Sequence, residues 1–106
     1  MTPTTQQKRN LKTKAHHLKP QIQIGRNGVT PQQINQIKQA LDTHELVKIK
    51  FNHHKDQKTT LSQEITQQTD STQIELKGNT LTIYRQNPDP AKRKINPDTQ
   101  YTKPTS

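Results

Sequence analysis

Gly25-Arg26-Asn27-Gly28 sets an arginine and an asparagine between two glycines, just ahead of a helix start at Thr30-Pro31. The glycines permit backbone angles closed to other residues and let a polymer backbone approach the main chain closely. A turn in this position presents N–H groups at the positive end of the following helix, where anions are favoured. Arg26 adds a guanidinium that can hold a phosphate through two parallel hydrogen bonds. The chemistry on offer is phosphate capture, with amides around Asn27 to Val29 as donors. G-x-x-G is common by chance, so its surroundings decide its meaning.

Those surroundings are basic. Lys and Arg outnumber Asp and Glu by 17 to 8, a net charge of +9. No acidic residue precedes Asp42, whereas seven Lys or Arg do. Such a half-domain attracts polyphosphates and speeds encounter with them. Arg9, Lys12 and His16 share a flank of a predicted first helix, and Lys19 follows it. His16 is expected near the turn. Solubility, or an acidic protein partner, is the competing reading of the same charge.

Other chemistries find little support. Absence of cysteine excludes disulfides, thiolate metal sites and a cysteine nucleophile, and fits a reducing compartment. His16-His17 and His53-His54 are adjacent pairs whose side chains diverge, so neither metal nor cofactor is expected. The eight carboxylates are scattered and no P-loop or dinucleotide fingerprint occurs, so no enzyme is expected. There is no apolar leader and no run of 18 apolar residues. The expectation is a cytoplasmic, monomeric protein without a membrane partner.

The elements that position the turn follow from periodicity. Residues 1–3 read as a disordered lead, residues 4–86 as one domain, and residues 87–106 as a flexible basic tail. Leu11, Ala15 and Leu18 recur at helical spacing from Thr4 or Thr5 to about His17, and Pro20 stops that helix. Ile22 and Ile24 alternate with Gln21 and Gln23 as a half-buried strand. Thr30 caps the next helix, Pro31 opens it, and Val29 and Ile34 can staple across the cap. Its buried stripe is Ile34, Ile37 and Leu41.

Val47, Ile49 and Phe51 then face inward from a strand over Glu45 to Phe51, with Lys48 and Lys50 on the other side. A weaker helix runs from about Asp56 to Thr69 on Leu61 and Ile65. Two last strands point Ile74 and Leu76, then Leu81 and Ile83, inward around a Gly78-Asn79 turn. The order αβαβαββ predicts an α+β two-layer sandwich: a four-stranded mixed sheet with its helices on one face. The bare face would carry Gln21, Gln23, Lys48, Lys50, Glu75, Lys77, Thr82 and Tyr84.

Four segments in this order resemble the CRM domain, and its stand-alone bacterial form, the YhbY family, most of all. They are Ala15-His16-His17-Leu18-Lys19-Pro20, Ile24-Gly25-Arg26-Asn27-Gly28, His44-Glu45-Leu46-Val47-Lys48-Ile49-Lys50, and Gly78-Asn79-Thr80-Leu81 with Tyr84-Arg85. The resemblance covers about residues 5–86. It implies an RNA-binding module whose G-x-x-G loop is compared with that of KH domains. The implied fold is like the C-terminal domain of translation initiation factor three. Bacterial members are associated with precursors of the large ribosomal subunit, and plant relatives with intron splicing. Asn79 departs from the family, which often carries lysine there.

Read this way, Gly25, Arg26, Asn27 and Gly28 contact ribosomal RNA, with Arg9, Lys12, His16, Lys19, Lys48, Lys50 and Arg85 as further candidates. With Phe51 in the core, only Tyr84 and Tyr101 remain to stack on bases, too few for paired-aromatic reading of single strands. Backbone recognition of folded RNA is expected. With about five phosphates engaged, log K should fall with log salt at a slope near −3 to −4. A translation-factor-like module on mature ribosomes and a protein-interaction adaptor are the alternatives.

Overall fold

The computed structural model describes residues 2–102. Its elements are α1 (Thr5–Ala15), β1 (Ile22–Ile24), α2 (Pro31–His44), β2 (Leu46–Phe51), α3 (Lys58–Thr69), β3 (Thr72–Lys77) and β4 (Thr80–Tyr84). Short 3-10 turns at Lys55–Gln57 and Pro90–Lys92 complete the chain. In space the strands lie β1-β2-β4-β3. β1 is parallel to β2, and the other pairs are antiparallel. The fold is α+β with a mixed sheet.

Local chemistry sets the helix ends. At α1, the Gln7 amide donates to Thr4 Oγ1 at 3.1 Å and the Thr4 amide to Gln7 Oε1 at 2.9 Å. This reciprocal box satisfies two otherwise orphaned donors. Thr30 caps α2 by accepting from the Gln33 amide at 3.1 Å. Threonines in α3 return their hydroxyls to the helix, as when Thr69 Oγ1 donates to Ile65 O at 2.7 Å.

Strand register puts Val47, Ile49 and Phe51 on one face with Ile22, Ile24, Leu81 and Ile83. Ile34, Ile37 and Leu41 of α2 and Ile65 of α3 cover it. Full burial of each such side chain contributes about 1.5–3 kcal/mol. This is the main core.

The opposite face is not bare along its whole length. Leu46 precedes the alternating run and so points away from Val47, opposite Tyr84. A bulge between Gln73 and Glu75 turns Ile74 to the same side, while Leu76 stays opposite Leu81 at the edge of the main core. The expected common face for Ile74 and Leu76 is therefore wrong. Leu11 and Ala15 of α1 cover the resulting patch. Thus α2 and α3 occupy one face and α1 one end of the other, a correction to the one-sided helix layer. Leu18 is 37% exposed because α1 stops at Ala15.

Tyr84 is 1% exposed under α1, so it cannot stack on bases as expected. Its hydroxyl has no hydrogen-bond partner among the described residues. Burial, reinforced by the nearby Glu45 charge, pushes its pKa up to about 12. The folded state thus favours the neutral phenol, whose unfolded pKa is about 10. That contribution is intact below pH 10 and is lost as pH rises towards 12. Denaturant unfolding across this window is expected to show a smaller stability loss in Tyr84→Phe than in the parent. Equal losses would exclude Tyr84 as a source.

The chain after Asn87, expected to be loose, returns over α1. Glu45 is fully buried at φ 64, and its carboxylate accepts three backbone N–H groups. They come from Asn87 at 2.6 Å, Lys94 at 2.5 Å and Ile95 at 2.9 Å. Ile95 packs on the Leu11 patch. Asn10 Nδ2 donates to Pro97 O at 3.0 Å, and the Tyr101 ring stacks on His17 at 3.6 Å. Lys14 donates to Asn96 O beneath this strap. Burial lowers the Lys14 pKa, with Asp98 acting in opposition. Of the expected disordered lead, Pro3 is buried. Residue 1 of that lead and residues 103–106 of the tail lie outside the described residues.

Candidate nucleic-acid interface

Strand directions gather three connections at one end of the sheet. The Gly25–Gly28 turn leaves β1 there, Asn52 to His54 leaves β2, and Gly78-Asn79 joins β3 to β4. The patch beneath α1 is at the other end, around the Leu46–Tyr84 pair. Two different tasks are separated along the strands.

The Gly28 amide donates to Gly25 O at 3.1 Å, closing the turn. Gly28 holds φ +68, which side chains rarely adopt. One of the amides expected to donate is therefore committed internally. Those of Arg26, Asn27 and Val29 have no acceptor among the described residues. Gly25 has no atom within 4 Å of where a Cβ would stand. Nothing in the fold fills that space.

The turn opens on a cleft of about 540 Å³ lined by Gly25 to Gly28, Thr30 and Pro31, and by Gln32, Gln33 and Gln36 of α2. Arg26 is exposed, and its guanidinium has no partner among the described residues. Free amides, the positive helix end and an unengaged guanidinium meet here. The arrangement suits an anion.

Sequence reasoning missed His54. Its Nε2 lies 2.7 Å from Arg26 O, and its ring lies 3.6 Å from where a Gly28 Cβ would be. His54 itself is left-handed at φ 59. The Asn52 and His53 amides both donate to Ile24 O, at 3.1 and 3.3 Å. The β2–α3 connection thus buttresses the turn from below. A histidine in a polar turn carries no sequence signal for that role.

Other candidates divide between two places. Lys48 and Lys50 lie on the half of the sheet face that α1 leaves open. Lys50 is exposed, whereas Lys48 Nζ donates to Leu18 O at 3.0 Å. Arg9 and Lys12 of α1, and Lys19 after it, are exposed. His16 bonds Glu75 of β3 at 3.0 Å, on the strand farthest from β1. Its expected place beside the turn is corrected accordingly.

Arg85 is engaged at the far end. It donates to Thr69 O at 2.7 Å and pairs with Asp42 at 2.6 Å. It ties α2 and α3 to the end of β4. Among the described residues no group of three or more His, Cys, Asp or Glu could hold a metal, and no helix is long and apolar enough to cross a membrane.

Known proteins resemble this chain in sequence and in fold. The family model described as CRS1 / YhbY (CRM) domain matches residues 4–85. A "Probable RNA-binding protein" of Pseudomonas aeruginosa is 34% identical over 97 residues, covering 91% of this chain and 93% of that protein. An "RNA-binding protein" of Haemophilus influenzae is 36% identical over 85 residues, covering 79% and 86% respectively. The solution structure of a hypothetical Staphylococcus aureus protein has a TM-score of 0.73 at 30% identity. The match covers 90% of this chain and 100% of that one.

Proposed function

The chain belongs to the CRS1/YhbY (CRM) domain family, and from that premise we propose that it is a cytoplasmic, monomeric RNA-binding protein. It contacts ribosomal RNA through the basic G-x-x-G turn and assists assembly of the large ribosomal subunit. The carrying observation is the turn itself: uncommitted amides of Arg26, Asn27 and Val29 at the start of α2, with Arg26 exposed beside them. Phosphate oxygens supply the acceptors these groups lack. Lys50, Lys48 and Lys77, on the open half of the sheet, extend the positive field from the same end. The names of the relatives support RNA as the partner.

Sedimentation of cell extracts tests the ribosomal part. The protein is expected in fractions holding precursors of the large subunit. Signal confined to finished particles or polysomes would replace this reading with that of a translation-factor-like module.

A further inference from the structure

The cleft at the turn does not end there. It shares Gln33 and Gln36 with a second concavity of about 520 Å³, lined further by Gln21, Gln23, Gln39 and Thr43. This continuation follows α2 along the open edge of β1, the outer strand of the sheet. From Gln33 to Thr43 it extends about 15 Å at the helical rise of 1.5 Å per residue. At the stacked spacing of about 3.4 Å it accommodates on the order of four nucleotides.

The walls change chemistry along the way. Arg26 stands at the turn, but no lysine, arginine or carboxylate lines the second concavity. The one ionisable side chain along it is His44, at the end away from the turn, so a phosphate beside Gln33 and Gln36 meets amides alone. Neutral amides suit a different target, because each offers paired donors and an acceptor in one plane. Such groups match base edges, as glutamine does with adenine N6 and N7, and they also bond the ribose 2′-hydroxyl.

Two of these amides are already oriented. The Lys48 N–H donates to Gln21 Oε1 at 2.8 Å, so the Gln21 amino group is left as a donor. Asn52 Nδ2 donates to Gln23 Oε1 at 2.6 Å with the same result. Across the groove, the side chains of Gln33, Gln36 and Gln39 have no hydrogen-bond partner among the described residues. Fixed donors face adaptable amides.

We propose that this groove holds unpaired nucleotides of the RNA strand gripped at the turn, and discriminates them by base edge and 2′-hydroxyl. The inference rests on the proposed RNA-binding function and adds base reading to phosphate capture. The glutamine contacts are uncharged, so they affect affinity without releasing counterions.

Fluorescence anisotropy with eight-nucleotide oligoadenylate RNA, oligouridylate RNA and oligoadenylate DNA tests it, using Gln33→Leu/Gln36→Leu and Arg26→Ala. Leucine is a good helix former, so folding of the double variant is retained, and circular dichroism checks this. The parent is expected to prefer oligoadenylate RNA over both other probes. The double variant should bind that RNA about fivefold to tenfold more weakly, lose the preference and keep the salt slope. Arg26→Ala should weaken all three probes and flatten the slope. Equal binding of all probes by the parent, unchanged affinity in the double variant, or a changed slope in it would overturn the groove while leaving the turn in place. Binding of a structured ribosomal RNA fragment but of none of the octamers at low salt would overturn the groove alone, and failure to bind that fragment as well would remove the proposed function, and the groove with it.

Discussion

Arg26→Glu is expected to weaken binding of structured ribosomal RNA by about tenfold to a hundredfold at moderate salt, with no loss of thermal stability. The side chain is exposed and unpartnered, so the fold does not depend on it. Losing a charge-assisted phosphate contact costs roughly 1.5–3 kcal/mol, and placing a carboxylate there adds repulsion. Gel shift against Lys92→Glu provides the control, because Lys92 lies in the strap beyond the β-sheet. If Lys92→Glu has the larger effect, the strap and not the turn is the main contact. Gly25→Val makes an independent case. Space around Gly25 is empty in the folded chain, so lost binding there reports an approaching ligand.

Glu45→Ala is expected to destabilise the fold by about 3 kcal/mol, a drop in Tm on the order of 15 °C. Its buried carboxylate takes three backbone N–H groups from the returning strap, and alanine leaves all three without an acceptor. Backbone strain at φ 64 is common to the parent glutamate and to alanine, and only Glu45→Gly removes it. Glycine relieves the strain and loses the same hydrogen bonds, so its stability should fall between alanine and the parent. Proteolysis within residues 87–102 should accelerate in both variants. Unaltered proteolysis and Tm in Glu45→Ala would mean that the strap is held by Ile95 and the α1 contacts alone.

Periodicity and capping residues carried most of the fold. Thr30-Pro31, with Val29 and Ile34 in the same core, marks the start of α2 in the sequence as in the structure. Alternation through Val47, Ile49 and Phe51 likewise identified the inner face of β2. What was illegible depends on contacts distant in sequence. Leu46 continues an apolar run, and only its pairing with Tyr84 shows that it serves a second core. The bulge that splits Ile74 from Leu76 leaves no mark in composition. A tail rich in proline and lysine reads as loose unless the buried acceptor at Glu45 is known.

The candidate site was legible in the same uneven way. Its glycines, arginine and helix start are contiguous, so a local reading located the turn. His54 reaches the turn from 28 residues away, and Arg85 is drawn off to Thr69 and Asp42 by packing. The glutamine wall joins β1 to α2, and neither segment alone suggests a groove. Charge was easier to read than shape.

Titration of the isotopically labelled protein with a structured ribosomal RNA fragment, followed by amide NMR, shows whether the turn holds the RNA. The Arg26, Asn27 and Val29 amides are expected to shift first and furthest, with the α2 start, while amides beneath the strap stay in place. Shifts confined to the strap or to the α1 end of the sheet, with the turn unmoved at saturation, would contradict this role of the turn.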